Sequence, residues 1–246
     1  LSALTQDLFF SKSMQTLTND SMISTSRNKF VNPTSGALSD FPASNGHVYL
    51  TDAINYKAWE SWHRTIKVEA ERSTGRQYTW SYIYERKYQE LEFEVSGGRY
   101  IEATPTMSSV NPTITFEVPN TLSGKLNADK TIQYGGAYNV YCVFLPNKLK
   151  TASPKPNKVV FSLIYQSDNK GQIVTVNYNN DPENFVIDAM NMTKVLVASN
   201  VVFPYSEYGL EVPNVKFRVT SKVAAKETAT FSRDLLIDCI IFEPVR

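Results

Sequence analysis

The sequence predicts an all-β fold: a two-sheet antiparallel jelly-roll β-sandwich, preceded by a short irregular or partly helical N-terminal segment. Three observations carry this. Short alternating or β-branched runs recur from Ile66 to the end of the chain. Turn residues divide them, as SGG at 96–98, YGG at 134–136, ASPKPN at 152–157 and NNDPEN at 179–184. No segment after residue 65 holds a sustained apolar period of 3.6, which argues against a βαβ nucleotide-binding layout.

Taken in order, strands are expected at 66–71 (IKVEAE), 79–84 (TWSYIY), 91–95 (LEFEV), 99–103 (RYIEA), 113–118 (TITFEV) and 138–145 (YNVYCVFL). Further strands are expected at 158–165 (KVVFSLIY), 172–178 (QIVTVNY), 194–198 (KVLVA), 214–220 (NVKFRVT) and 234–242 (DLLIDCIIF). These suffice for two packed sheets. The first 45 residues are rich in Ser, Thr and Asn, and there only the opening LSALTQDLFF has the make-up of a short helix. The organisation expected is therefore a linker and domain remnant over 1–60 and a sandwich over 61–246.

Hydrophobic residues at 42% and aromatics at 12% describe a chain able to bury a core. Lys and Arg number 25 against 24 Asp and Glu, a net charge of +1, so no global field draws polyanions. Basic residues such as Lys148, Lys150, Lys155 and Lys158 stand singly and are not interleaved with aromatics, so nucleic acid is not an expected partner. No run of about 18 apolar residues exists to form a spanning helix, and the N-terminus lacks a signal-peptide pattern. Because the chain starts at Leu1 and not Met, removal of a leader is expected.

Cys142 and Cys239 both sit in apolar runs. They are either buried free thiols or one cross-strand disulfide, the latter only if their strands are neighbours. Catalysis finds no signature: His47 and His63 have no partner at metal-ligand spacing, and HExxH, GxSxG and Gly-rich phosphate loops are missing. The chain reads as a non-enzyme.

Two side-chain groups remain. Trp80, Tyr82 and Tyr84 alternate on one strand face, the usual pattern of core aromatics. Tyr178, Tyr205 and Tyr208 lie in or beside loops, where flat rings stack on the C–H faces of sugars, and Asn179, Asn180 and Asp181 can supply hydrogen bonds. Glu69 and Glu71 point to one face of a strand, and Asp238 joins them if the first and last strands pair. Three carboxylates there repel unless a cation joins them, and Ca²⁺ has the matching oxygen chemistry. Otherwise they are solvated, with Arg64, Lys67 or Arg72 as partners.

Two stretches resemble known families. ASNGHVYLTDAINY, residues 43–56, resembles the closing motif of fasciclin-type domains through Asn45, Gly46, Val48, Tyr49 and Asp52, with His47 departing from the usual apolar residue. A plain Asn-Gly hairpin is the alternative. Glu69-Ala70-Glu71 in IKVEAER and Asp238 in LLIDCIIFEPV resemble the opening and closing strands of family 6 and family 35 carbohydrate-binding jelly rolls, part of the galactose-binding-like group. That resemblance implies a structural calcium at Glu69, Glu71 and Asp238.

Together the two resemble surface lipoproteins of Bacteroidetes-type Gram-negative bacteria. The implied location is extracytoplasmic, at the outer membrane or cell surface, held by a lipidated N-terminus missing from this chain. The implied partner is an oligosaccharide, or a surface protein if the module is structural or adhesive.

Overall fold

Strand after strand in the second half of the chain alternates apolar and polar side chains, and a pleated strand sends such a pattern to opposite faces. In the computed structural model this alternation builds two antiparallel sheets that close on one apolar core. The structure describes residues 21–24, 29–31, 34–54, 61–129, 132–178, 185–206 and 209–245. The chain divides into two compact units, Leu1–Arg64 and Thr65–Val245.

The first unit holds two hairpins among its described residues. β1 (Ser21–Ile23) pairs with β2 (Lys29–Val31), and β3 (Thr34–Ala43) pairs with β4 (Gly46–Ile54) across a tight turn at Ser44 and Asn45. The expected irregular character of this region therefore does not hold over 34–54, where a long ladder forms. The expected helix in the opening ten residues lies outside the described residues.

The second unit contains β5 (Ile66–Glu69), β6 (Arg76–Thr79), β7 (Ser81–Lys87), β8 (Arg99–Pro105), β9 (Thr113–Val118), β10 (Lys125–Leu126) and β11 (Ile132–Tyr134). It continues with β12 (Tyr138–Phe144), β13 (Asn157–Gln166), β14 (Ile173–Tyr178), β15 (Phe185–Ile187), β16 (Thr193–Val201), β17 (Val215–Ser221) and β18 (Leu235–Pro244). One sheet has the order β16-β12-β18-β8-β7, with β5 also on β18. The other has the order β14-β13-β17-β9-β6, with β15 also on β13. The chain passes repeatedly from one sheet to the other, so its connections wrap the ends of the sandwich in a jelly roll. Among the described residues no α-helix occurs, and no helix is long and apolar enough to cross a membrane.

The core follows directly. Val140, Cys142 and Phe144 of β12 face Phe161 and Leu163 of β13 and Phe217 and Val219 of β17 in one buried cluster. Phe217 and Phe242 join the two sheets edge to face at 6.4 Å, and Phe161 stands 5.0 Å from Phe185.

Two expected strands differ. LEFEV at 91–95 is a loop, because Val95 and Tyr88 turn down onto a second small cluster of Tyr100, Leu145 and Leu236 on the outer face of the first sheet. The backbone of Phe93 donates to Tyr88 Oη at 3.1 Å, which closes the loop on itself. The expected strand over 79–84 is broken at Trp80, whose φ of 57° turns the chain out of one sheet and into the other.

Candidate functional site

Strand β7 is an edge strand, and its pairing with β8 decides which of its side chains are buried. Ser81 is buried and Ile83 packs against the core. Tyr82 and Tyr84 therefore face outward, opposite Thr104 and Glu102. Tyr82 is 55% exposed and Tyr84 44%, and Tyr78 and Trp80 just before them are each 55% exposed. The expectation that Trp80, Tyr82 and Tyr84 are core residues is overturned. Period two identifies a face without saying which way it looks, and on β7 the face of Tyr82 and Tyr84 is the solvent one. Tyr82 and Tyr84 are about 7 Å apart by strand geometry. Trp80 itself occupies the left-handed region, where bulky residues are rare and costly.

A chain of charges leads away from these rings. The Arg86 guanidinium lies 5.1 Å from the Tyr84 ring centroid and binds Glu102 at 2.8 Å. Glu102 also binds Lys150 at 2.7 Å, and Lys150 reaches Asp234 at 2.8 Å. Burial pushes the Glu102 carboxyl upward, but Lys150 and Arg86 outweigh it and hold the group below its ordinary value. Beyond Lys150 a cleft of about 290 Å³ opens between loops, lined among others by Asn147, Lys155, Phe231, Arg233 and Asp234.

A second polar cluster forms at a bulge in β18. Val143 faces Cys239 and Phe144 faces Ile237, so Asp238 is the inserted residue. The inward positions shift from Leu235 and Ile237 to Ile240 and Phe242, which turns Asp238 and Cys239 to the outer face together. Cys239 lies opposite Glu69 on β5, and Glu69, Asp238 and Cys239 present ligand atoms within 4.8 Å of one another.

Asp238 accepts from the Ser96 backbone at 3.0 Å, and Glu69 accepts from Ser96 Oγ at 2.7 Å. Burial, with repulsion from Glu69 and Glu71, raises the Asp238 carboxyl to about 7. Burial also raises Glu71, and the neighbouring Glu69 pushes the same way. Glu69 Oε2 and Glu71 Oε2 are buried without a hydrogen-bond partner. Orphaned buried carboxylate oxygens are what a hard divalent cation satisfies, but the ligand atoms that converge are those of Glu69, Asp238 and the Cys239 thiol, and Glu71 of the expected Ca²⁺ set is not among them.

Of the loop residues expected to bind, two are described. Tyr178 is half-buried and packs on the core, with its hydroxyl pKa raised by that burial. Tyr205 is half-buried, and its backbone bridges Gln166 at the end of β13. Tyr208, Asn179, Asn180 and Asp181 lie outside the described residues. The cysteines are free and point to opposite faces of one sheet: Cys142 lies in the core opposite Ile240, and Cys239 lies on the outer side. The cleft had no motif in the sequence, since its residues come from three separate loops.

No family model matches the chain, and no curated protein matches it. Among solved structures, it is similar to the CBM22-1 and GH10 modules of Clostridium thermocellum endo-1,4-β-D-xylanase 10B complexed with xylohexaose, at 12% identity and a TM-score of 0.42, over 74% of this chain and 28% of that one. It is also similar to the enzymatically active domain of tailspike protein 4 of bacteriophage CBA120, at 8% identity and a TM-score of 0.33, over 74% and 19% of the two chains. A third is a carbohydrate esterase of the Shiga toxin-encoding bacteriophage phi24B, at 13% identity and a TM-score of 0.31, over 74% and 98%. Likenesses at identities and TM-scores this low carry no functional weight.

Proposed function

We propose that the sandwich is a non-catalytic module that recognises glycans outside the cytoplasm. One observation carries the reading: Tyr78, Trp80, Tyr82 and Tyr84 expose large aromatic side chains within seven residues of chain, where it crosses from the edge strand of one sheet to the edge strand of the other. Exposed rings of this size find a use in contact with a partner. Here Arg86, Glu102 and Thr104 flank Tyr82 and Tyr84, so an apolar face and hydrogen-bonding groups stand side by side. That pairing matches a sugar ring, which offers C–H faces and a rim of hydroxyls.

The same reading assigns a structural Ca²⁺ to Glu69, Glu71 and Asp238; the two orphaned carboxylate oxygens support it, while Glu71 stands outside the group of converging ligand atoms. A cell-surface location rests on the sequence resemblance. An adhesive role toward another surface protein is the second reading, favoured by Phe41, Val48 and Leu50, which stand more than half exposed on the β3–β4 hairpin.

The test is a glycan-array screen of the whole chain with and without calcium, beside the Tyr82→Ala/Tyr84→Ala variant. Binding by the parent that the folded variant loses upholds glycan recognition. A blank on a broad array rejects it and leaves the adhesive reading.

A further inference from the structure

We infer that the cleft beside Lys150 holds an oxyanion-bearing sugar residue, a uronate or a sulfate ester, so that the glycan recognised is acidic; this rests on the glycan-binding reading above. The first support is Arg233, which is only 8% exposed. Its Nε and Nη2 donate to the Val223 carbonyl at 3.1 and 3.0 Å. Among the described residues no carboxylate lies within ion-pair distance of it. A buried guanidinium answered only by a neutral carbonyl is an incompletely compensated charge, and an incoming anion completes it.

The neighbouring groups point the same way. Three cations, Lys150, Lys155 and Arg233, line the cleft against one carboxylate, Asp234, and that carboxylate is already held by Lys150. The second Lys150 partner, Glu102, is likewise engaged by Arg86. Lys155 Nζ donates to the Thr228 carbonyl at 2.8 Å and keeps further donor capacity.

Asn147 supplies the second independent observation. It is 2% exposed, and its Nδ2 donates to the Lys155 carbonyl and to Asn157 Oδ1. Its Oδ1 is buried without a partner, an acceptor left for a hydroxyl donor. Phe231, half-buried in the same wall, adds an aromatic surface for ring C–H groups. Cationic donors, one unused acceptor and one ring, in a volume near the lower end for small-ligand sites, fit a single charged sugar residue.

Calorimetric titration of the whole chain tests this with two matched pairs: trigalacturonate against its methyl ester, and a sulfated galactan tetrasaccharide against its desulfated parent. The expected result is that one acidic member binds at least about tenfold tighter than its neutral counterpart, with the preference shrinking as salt rises from about 50 to 300 mM. The pair that shows the preference identifies carboxylate or sulfate. Arg233 is buried and its loss endangers folding, so Lys155→Gln at the rim is the diagnostic variant. It lowers acidic affinity about threefold or more and leaves the neutral member unchanged. Equal binding of acidic and neutral members, lost on Tyr82→Ala/Tyr84→Ala, overturns the acidic cleft and keeps glycan recognition. Acidic affinity unmoved by Lys155→Gln also overturns it, as does no binding by any of the four, which leaves glycan recognition itself to the array screen.

Discussion

Cys142 and Cys239 stand on adjacent strands but on opposite faces of one sheet, because the bulge at Asp238 turns Cys239 outward while Cys142 stays in the core. A disulfide requires the two Cβ vectors to converge, and these diverge through the sheet. Alkylation in denaturant without reductant is therefore expected to label both thiols. A mass showing neither labelled contradicts the arrangement. Burial raises the Cys142 thiol far above its ordinary value, so it should not react in the folded protein. Cys142→Ser is expected to cost about 1–3 kcal/mol by placing a hydroxyl in an apolar site.

Calcium is expected to raise the melting temperature. At about a hundredfold excess over its dissociation constant a bound ion adds about 2.7 kcal/mol, which for a unit of this size is a shift of about 5–10 °C. Glu69→Gln combined with Asp238→Asn should abolish the shift. Scanning calorimetry with and without a chelator reads both; identical traces and no metal by elemental analysis would falsify the site.

The Glu102 carboxyl is held low by Lys150 and Arg86. A depressed carboxyl adds stability that is present above its unfolded-state value and is lost as pH falls through the folded value. The parent should therefore lose stability in the acid range more steeply than Glu102→Gln, whose deficit at neutral pH is about 1–3 kcal/mol. Urea midpoints between about pH 3 and 7 give the comparison. Parallel curves would show that the Arg86–Glu102–Lys150 chain contributes nothing.

Tyr82→Ala and Tyr84→Ala should each change stability by less than about 1 kcal/mol, since both side chains are about half exposed and neither belongs to the core. An aromatic in the core loses about 3–5 kcal/mol on the same change, as Phe161→Ala should. Chemical melts of the three variants separate the two environments.

The sandwich was legible because alternation in TITFEV, KVVFSLIY and NVKFRVT is both strong and physically decisive: the wrong register would put every Val and Phe in water. Pairing of the first and last strands, which brings Glu69 to Asp238, was readable as a condition of the same pattern. The bulge was not, since an inserted residue leaves no mark beyond an Asp and a Cys in an apolar run. Alternation also misled at two places. In LEFEV it had no partner strand, and in TWSYIY it could not say whether the aromatic face looks inward or outward. The cleft was hidden because Asn147, Lys150, Arg233 and Asp234 meet only through tertiary structure.

Trp80 is the one tryptophan in the sequence of the second unit, with Trp59 and Trp62 both before residue 65. Its left-handed backbone at the crossover, fixed by the Thr106 amide donating to its carbonyl at 3.0 Å, leaves the indole half in water beside Tyr82. With Trp59 and Trp62 replaced by Phe, the chain carries a built-in optical reporter. Its emission should shift to the blue and resist iodide quenching whenever something settles on the β7 edge, without any dye attached.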